Sequence, residues 1–159
     1  MIFVTLGTHP RPMNRLLLKL DELVRSGAIT DEVLVQGTVF GVRPTTVEVR
    51  TVLPHDEYVA LIRSAEVVIS HAGAGSLAEA RLQGKVPIVV PRMHDEGEHV
   101  DDHQLRYARR LKGQPSYIVV EDVADLLGAI DAARVASVEI SPPDVGRAVA
   151  VLSELASER

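Results

Sequence analysis

The 159-residue chain contains no cysteine, so it has no disulfide framework and no thiolate metal site, a composition expected of a reducing cytoplasm. It also lacks any excess of basic residues. Its net charge of −5 and pI near 5.7 exclude the basic face that phosphate-backbone binders need, so nucleic acid is not an expected partner. Long apolar runs are missing too: residues 86–90 fall far short of the roughly 20 residues of a membrane span. No direct span of a membrane is expected. The opening residues, Met1-Ile2-Phe3-Val4-Thr5-Leu6-Gly7, have no basic n-region and stop being apolar after a few positions, which reads as a first strand and not a signal peptide. Internal repeats and low-complexity tracts are absent. The length fits one domain with a real core and is small for a complete two-domain enzyme.

What is present is an alternation of strand-like and helix-like segments over short connections. That is the pattern of an α/β fold, a doubly wound parallel sheet of Rossmann-like type with helices on both faces. Strands are predicted over residues 2–6, 33–36, 47–50, 67–70, 86–90 and 117–120. The first helix, over 11–25, carries Met13, Leu16, Leu17, Leu20 and Leu23 at helical spacing and is closed by Gly27. Further helices are predicted over 55–64, with Pro54 able to start the helix, and over 76–83, 101–111 and 122–132. This domain is expected to occupy residues 1–134. Residues 135–159 are expected to form a proline-containing linker and a final helix over 145–155, with Val145, Val149, Leu152 and Leu155 on one stripe. The stripe serves either docking on a partner or packing on the chain's own core.

The most informative stretch is Val67-Val68-Ile69-Ser70-His71-Ala72-Gly73-Ala74-Gly75-Ser76-Leu77-Ala78-Glu79. A β-branched run ends in a glycine-punctuated turn that opens straight into a helix. Glycines let a phosphate approach the backbone, and the free amides of the helix start point at it. Glu79 shares a helix face with Gly75 and Ser76, and a carboxylate there serves something other than phosphate. A ribose diol fits, so the stretch asks for a nucleotide. A second glycine turn, Leu6-Gly7-Thr8-His9-Pro10, follows the first strand, and turns at the carboxyl ends of parallel strands face a common crevice. Two other readings stay open. Gly73, Gly75 and Ala78 satisfy a loose dinucleotide pattern, although it follows the fourth strand and lacks the acidic residue some 20 positions on. The glycines also fit a tight strand-to-helix turn with no ligand.

The densest polar cluster runs from Arg92 through His94, Asp95, Glu96, Glu98, His99, Asp101, Asp102 and His103 to Gln104. His99 and His103 stand four apart, but Val100 occupies the place of the glutamate in H-E-x-x-H, so no metal is expected. Asp101 and Asp102 suit a helix start, and Gln104 and its neighbours offer hydrogen bonds to sugar hydroxyls. A solvated, charged loop is the alternative. Ser76 lies in Gly-Ala-Gly-Ser-Leu, not in a G-x-S-x-G elbow, and is not read as a nucleophile.

With these residues placed, the chain resembles the C-terminal, donor-binding half of GT-B glycosyltransferases. It is most similar to the small subunits of split transferases: the cytosolic subunit of the dolichol-linked N-acetylglucosaminyltransferase and bacterial exopolysaccharide subunits. The motifs are Phe3-Val4-Thr5-Leu6-Gly7-Thr8-His9, the 65–76 segment with Glu79, Gly84-Lys85-Val86-Pro87 and Asp101-Asp102-His103-Gln104. The resemblance implies diphosphate binding at Gly73, Ala74, Gly75 and Ser76, closed over by Gly7 and Thr8. It further implies ribose binding at Glu79 and donor-sugar binding at Asp101, His103 and Gln104. Asp102 stands where relatives often have asparagine. The implied activity is transfer of a hexose-type sugar from a UDP-sugar to a lipid-linked saccharide in surface or exopolysaccharide synthesis. No cofactor is implied, and no catalytic residue in this chain. The base would come from a membrane-anchored, acceptor-binding partner subunit holding the chain at the cytoplasmic face of the membrane. A non-catalytic nucleotide-sugar-binding module that regulates such a complex is the alternative.

Overall fold

The computed structural model describes residues 1–136, so the linker and final helix expected beyond residue 136 lie outside the described residues. Six strands form one parallel sheet in the order β3-β2-β1-β4-β5-β6. They are β1 Ile2–Thr5, β2 Val33–Gln36, β3 Glu48–Arg50, β4 Val67–Ser70, β5 Ile88–Val89 and β6 Ile118–Val119. Every residue of β1, β2 and β4 is buried, as expected where helices cover a parallel sheet on both faces. Alternation along β1 assigns the faces. Ile2 and Val4 pack with Leu16, Leu17 and Leu20 of α1 (Asn14–Arg25) and with Leu126 and Ile130 of α5 (Leu126–Val135). Phe3 points the other way, toward Ile62 of α2 (His55–Ser64) and Ala80 of α3 (Ala74–Leu82). The same face continues through Val89 to Ala108 and Leu111 of α4 (His103–Leu111).

Element boundaries depart from the sequence reading for local reasons. The first helix begins at Asn14 because Arg11 is committed elsewhere: its guanidinium donates to the His99 carbonyl at 2.8 Å and its own carbonyl accepts from Arg92. Strand β5 shrinks to two residues because Pro87 and Pro91, which flank it, have no N–H to give to a ladder. Helix α4 begins at His103, since the Asp101 carboxylate takes the His103 N–H at 3.0 Å and the Asp102 carboxylate takes the His94 N–H at 3.0 Å. Helix α5 starts late, behind a 3-10 turn over Val123–Asp125 in which the Asp122 carboxylate accepts from Ala124 N–H at 2.9 Å.

Asp21, a helix residue with nothing in its local sequence to mark it, is buried and anchors the long β2–β3 connection. It accepts the N–H groups of Thr45 at 2.7 Å and Thr46 at 2.8 Å, and the Thr46 hydroxyl at 2.8 Å. Burial alone would raise its carboxyl; the bonds from Thr46, Thr45 and Arg25 instead hold it well below the usual carboxylate range.

Strand order reverses between β1 and β4. From β1 the chain steps outward to β2 and β3, then returns to β4 on the other side. In open parallel sheets the crevice outside the carboxyl ends of such a strand pair is where ligands sit.

Candidate functional site

That crevice is a cleft of about 450 Å³. Thr5, Gly7 and Thr8 line it from the end of β1, Gln36 from the end of β2, and Gly75, Ser76 and Glu79 from α3; Val52, Leu53, His55 and Tyr58 close the remaining side. Five residues singled out by sequence thus share one cavity. A larger open hollow of about 910 Å³ lies along Val39 to Val49, includes neither glycine turn, and offers Arg43 as its one charged lining residue.

The anion-attracting end of the cleft is the start of α3. Gly73 is its N-cap, no side chain caps it, and the first main-chain bond back onto the turn is Leu77 N–H to the Gly73 carbonyl at 3.0 Å. The amides of Ala74, Gly75 and Ser76 therefore begin the helix without intrahelical acceptors. Ala72, just before, is held at a φ of 65°, a left-handed conformation that costs an alanine about 1–2 kcal/mol. The surrounding sheet imposes that turn.

Both glycine turns exist to make room for His71. A Cβ on Gly7 would stand 2.6 Å from the His71 ring, and one on Gly73 would collide with the same ring atoms. Gly7 also has a φ of +69°. The imidazole is pinned by Nδ1–H donating to the Thr5 carbonyl at 3.1 Å, which leaves the lone pair on Nε2 between the two glycines. Burial lowers its pKa to about 4, with Arg92, His9 and His99 adding to the shift and the Thr5 carbonyl opposing it. Because the folded value lies below the ordinary 6.5, the unfolded chain binds the extra proton between those two values. Stability from this residue is complete above about pH 6.5 and falls, by about 3 kcal/mol, as pH drops toward 4. Urea melts at pH 7 and pH 4.5 test this: His71→Asn should flatten the difference, and equal wild-type and variant profiles would reject it.

Gln36 joins the strand ends. Its Oε1 accepts the Thr5 hydroxyl at 2.9 Å, and its Nε2 donates to the Thr51 carbonyl at 3.2 Å. The sequence reading missed it, although a polar residue closing the run Val33-Leu34-Val35 was a usable signal. Glu79 is half-buried, and its Oε1 accepts from Gln83 Nε2 at 2.9 Å, so its other oxygen is the one unengaged along the helix.

The polar cluster over residues 92–104 divides in two. Arg92, Glu98, His99 and Gln104 are buried, which overturns the solvated-loop reading for them. Arg92 donates to the carbonyls of Leu6 at 2.8 Å, Glu98 at 3.1 Å and Arg11, and so ties the loop after β5 to the loop after β1. Burial pushes the Glu98 carboxyl up, opposed by Arg15 at 3.1 Å and by the Met93 N–H. Gln104 is turned inward, its Oε1 accepting the Arg92 N–H at 3.3 Å. Asp101 and His103 stay exposed beside His99 and do not line the cleft that holds Glu79. The bonds from His103 N–H and its ring hold the Asp101 carboxyl down to about 2.

Among solved structures, the glycotransferase of kitacinnamycin aligns with a TM-score of 0.60 at 20% identity, covering 84% of this chain and 34% of that one. The calicheamicin glycosyltransferase CalG4 aligns at 0.57 and 17% identity, covering 84% and 34%. The glycosyltransferase SnogD from Streptomyces nogalater aligns at 0.52 and 23%, covering 84% and 37%. The chain thus spans about a third of each, and the likeness is one of fold. No curated protein matches the chain. Residues 1–117 match the model described as the glycosyltransferase family 28 C-terminal domain. The chain belongs to that family, and its fold is that of the C-terminal, donor-binding half of GT-B glycosyltransferases.

Proposed function

We propose that the chain is the donor-binding subunit of a two-component glycosyltransferase that moves a hexose from a UDP-sugar to a lipid-linked saccharide. The observation that carries the reading is the convergence of the Gly7-Thr8 turn, the uncapped start of α3 and Glu79 on one cleft at the strand-order reversal. In this reading the diphosphate lies against the amides of residues 73–76 under Gly7 and Thr8, and Glu79 accepts the ribose hydroxyls. The family resemblance assigns Asp101, His103 and Gln104 to the donor sugar, although they stand outside the lining of this cleft. An acceptor hydroxyl attacks the sugar's anomeric carbon, the bond to the β-phosphate oxygen breaks, and UDP leaves with the negative charge. Hydrogen bonds to that charge are worth about 1.5–3 kcal/mol each, so two or three account for much of the leaving-group activation. The base and the acceptor site belong to a membrane-anchored partner, a role motivated by the likeness to split-transferase subunits.

Calorimetry with UDP and 2′,3′-dideoxy-UDP tests the donor site. Glu79→Ala is expected to weaken UDP about ten- to a hundredfold and to leave the dideoxy ligand unchanged. Equal losses for both ligands would show that Glu79 does not read the ribose. Transfer assayed with and without the membrane partner tests the rest: donor binding with no transfer even in its presence would leave only a regulatory module.

A further inference from the structure

The two helix layers use their cations differently. On the side of α1 and α5, Arg15 pairs with Glu98, Lys19 with Glu22, Arg25 with Asp21 and Arg134 with Asp31. The other side is the layer of α2, α3 and α4, where Ala80 of α3 packs with Ile62 of α2, and Leu77 of α3 with Ala108 and Leu111 of α4. Among the described residues, Arg63, Arg81, Arg106, Arg110 and Lys112 of this layer make no ion pair. The bordering acids are spent elsewhere: Glu57 on Arg50, Glu66 on Arg134 and Glu121 on Arg109, which leaves Asp56 at the start of α2. The segregation is written in the sequence. Residues 103–120 hold Arg106, Arg109, Arg110 and Lys112 and no carboxylate, in a chain of net charge −5.

Folding does not ask for this arrangement. The helix dipole favours cations in the last turn and so accounts for Arg109 and Arg110, but Arg106 stands near the start of α4, where the dipole gives it nothing. Arg106 and Arg110 are both exposed and four apart, so they repel each other along the helix. An anion from outside relieves that repulsion. The face also has an apolar middle: α3 turns Ala78 and Leu82 outward, and Leu82 is 61% exposed. Arg63 bonds to Gln83 at 3.0 Å on the α2 side of this strip, and Arg81 lies 5.5 Å over the Tyr117 ring on the α4 side. None of the five cations lines the donor cleft or the hollow beside β3, so neither cavity gathers them around a small anion.

We propose that the outer face of α2, α3 and α4 docks directly on a bilayer containing anionic phospholipid, its cations meeting headgroup phosphates and Leu82 entering the interface. Cations spread across a face with an exposed leucine among them are the pattern of an interfacial surface. A bilayer offers phosphates at any spacing and an apolar layer beneath them, whereas an acidic protein segment would have to match the cations one by one and leave Leu82 wet. The inference goes beyond the nucleotide reading and does not need it, since the face stands apart from the cleft lined by Glu79.

The test sediments the full chain with vesicles of phosphatidylcholine alone and of phosphatidylcholine with phosphatidylglycerol, in about 0.1 M salt. Binding is expected with the anionic vesicles only and should be lost near about 1 M salt, where screening is strong. Each cation near an anionic surface is worth about fivefold, so Arg106→Gln/Arg110→Gln should weaken binding at least about tenfold. Lys19→Gln/Arg43→Gln makes the same change in net charge on the α1 side and should leave binding unchanged. Leu82→Ser should weaken it with no change in charge. Urea melts confirm that each variant is folded. Absence of binding to the anionic vesicles, equal binding to both kinds, or equal losses in the two double variants overturns the proposal. Binding to soluble polyglutamate with none to the vesicles would assign the face to an acidic protein and overturn it as well. None of these outcomes bears on the Glu79 experiment.

Discussion

Replacing Arg92 with methionine is expected to lower stability by about 3 kcal/mol and to weaken nucleotide binding with it. The side chain is fully buried, and its guanidinium donates to the carbonyls of Leu6 and Arg11 in the loop after β1 and of Glu98 in its own loop after β5. Each carbonyl left without a donor costs about 1–3 kcal/mol when water cannot reach it. Against this, methionine removes a buried cation whose desolvation is itself worth several kcal/mol. The carbonyls win because Leu6 is fully buried and Glu98 nearly so, and because the Glu98 carboxylate loses a nearby positive charge. Arg92→Lys separates the two effects: it keeps the charge but cannot serve three carbonyls in the plane of a fork, so it should recover less than half of the loss. Leu6 and Arg11 bracket Gly7 and Thr8, so a loosened clasp also frees the turn proposed to cover the diphosphate. Urea unfolding of the three proteins at pH 7 decides it, and a methionine variant as stable as wild type would show that desolvation dominates.

Arg92 also shows where the sequence stopped being readable. The sheet was legible because a strand buried on both faces must be apolar throughout, as Val67-Val68-Ile69 is, and because Gly7 and Gly73 mark turns by composition alone. The edges were less so: Pro87 and Pro91 shorten β5 through missing donors, and Arg11 delays α1 through bonds to residues more than 80 positions away. Charged residues carry the opposite local signal to their structural use here. Asp21 and Arg92 are buried because backbone groups from distant loops converge on them, and Glu98 because the Arg15 guanidinium of α1 reaches it; nothing within a window of the sequence reports those contacts. The cleft-lining residues Gly7, Thr8, Gly75, Ser76 and Glu79 were readable because each belongs to a local motif. The His99–Asp101–His103 cluster was half readable: the spacing drew attention, but the helical geometry it implies is not the one that brings the rings together.

Gly73→Ala is expected to reduce UDP affinity by at least about a hundredfold, close to 2.7 kcal/mol. The backbone there is ordinary, with φ −72° and ψ 124°, so alanine meets no conformational strain and the substitution measures space alone. The new methyl collides with the His71 ring. That ring is held by its Nδ1–H, which is bonded to the Thr5 carbonyl at 3.1 Å. Relief must come from the turn, which moves the amides of residues 74–76 out of line. Losing two charge-assisted bonds at about 1.5 kcal/mol each accounts for the predicted affinity. Overpacking adds about 1–3 kcal/mol of destabilisation. The double variant His71→Ala/Gly73→Ala removes the collision and should recover about 1 kcal/mol or more of stability beyond additivity, because the two side chains compete for one space. Calorimetry and urea melts on the two single variants and the double variant form the cycle. Wild-type UDP affinity in Gly73→Ala would mean that the start of α3 is not the phosphate seat.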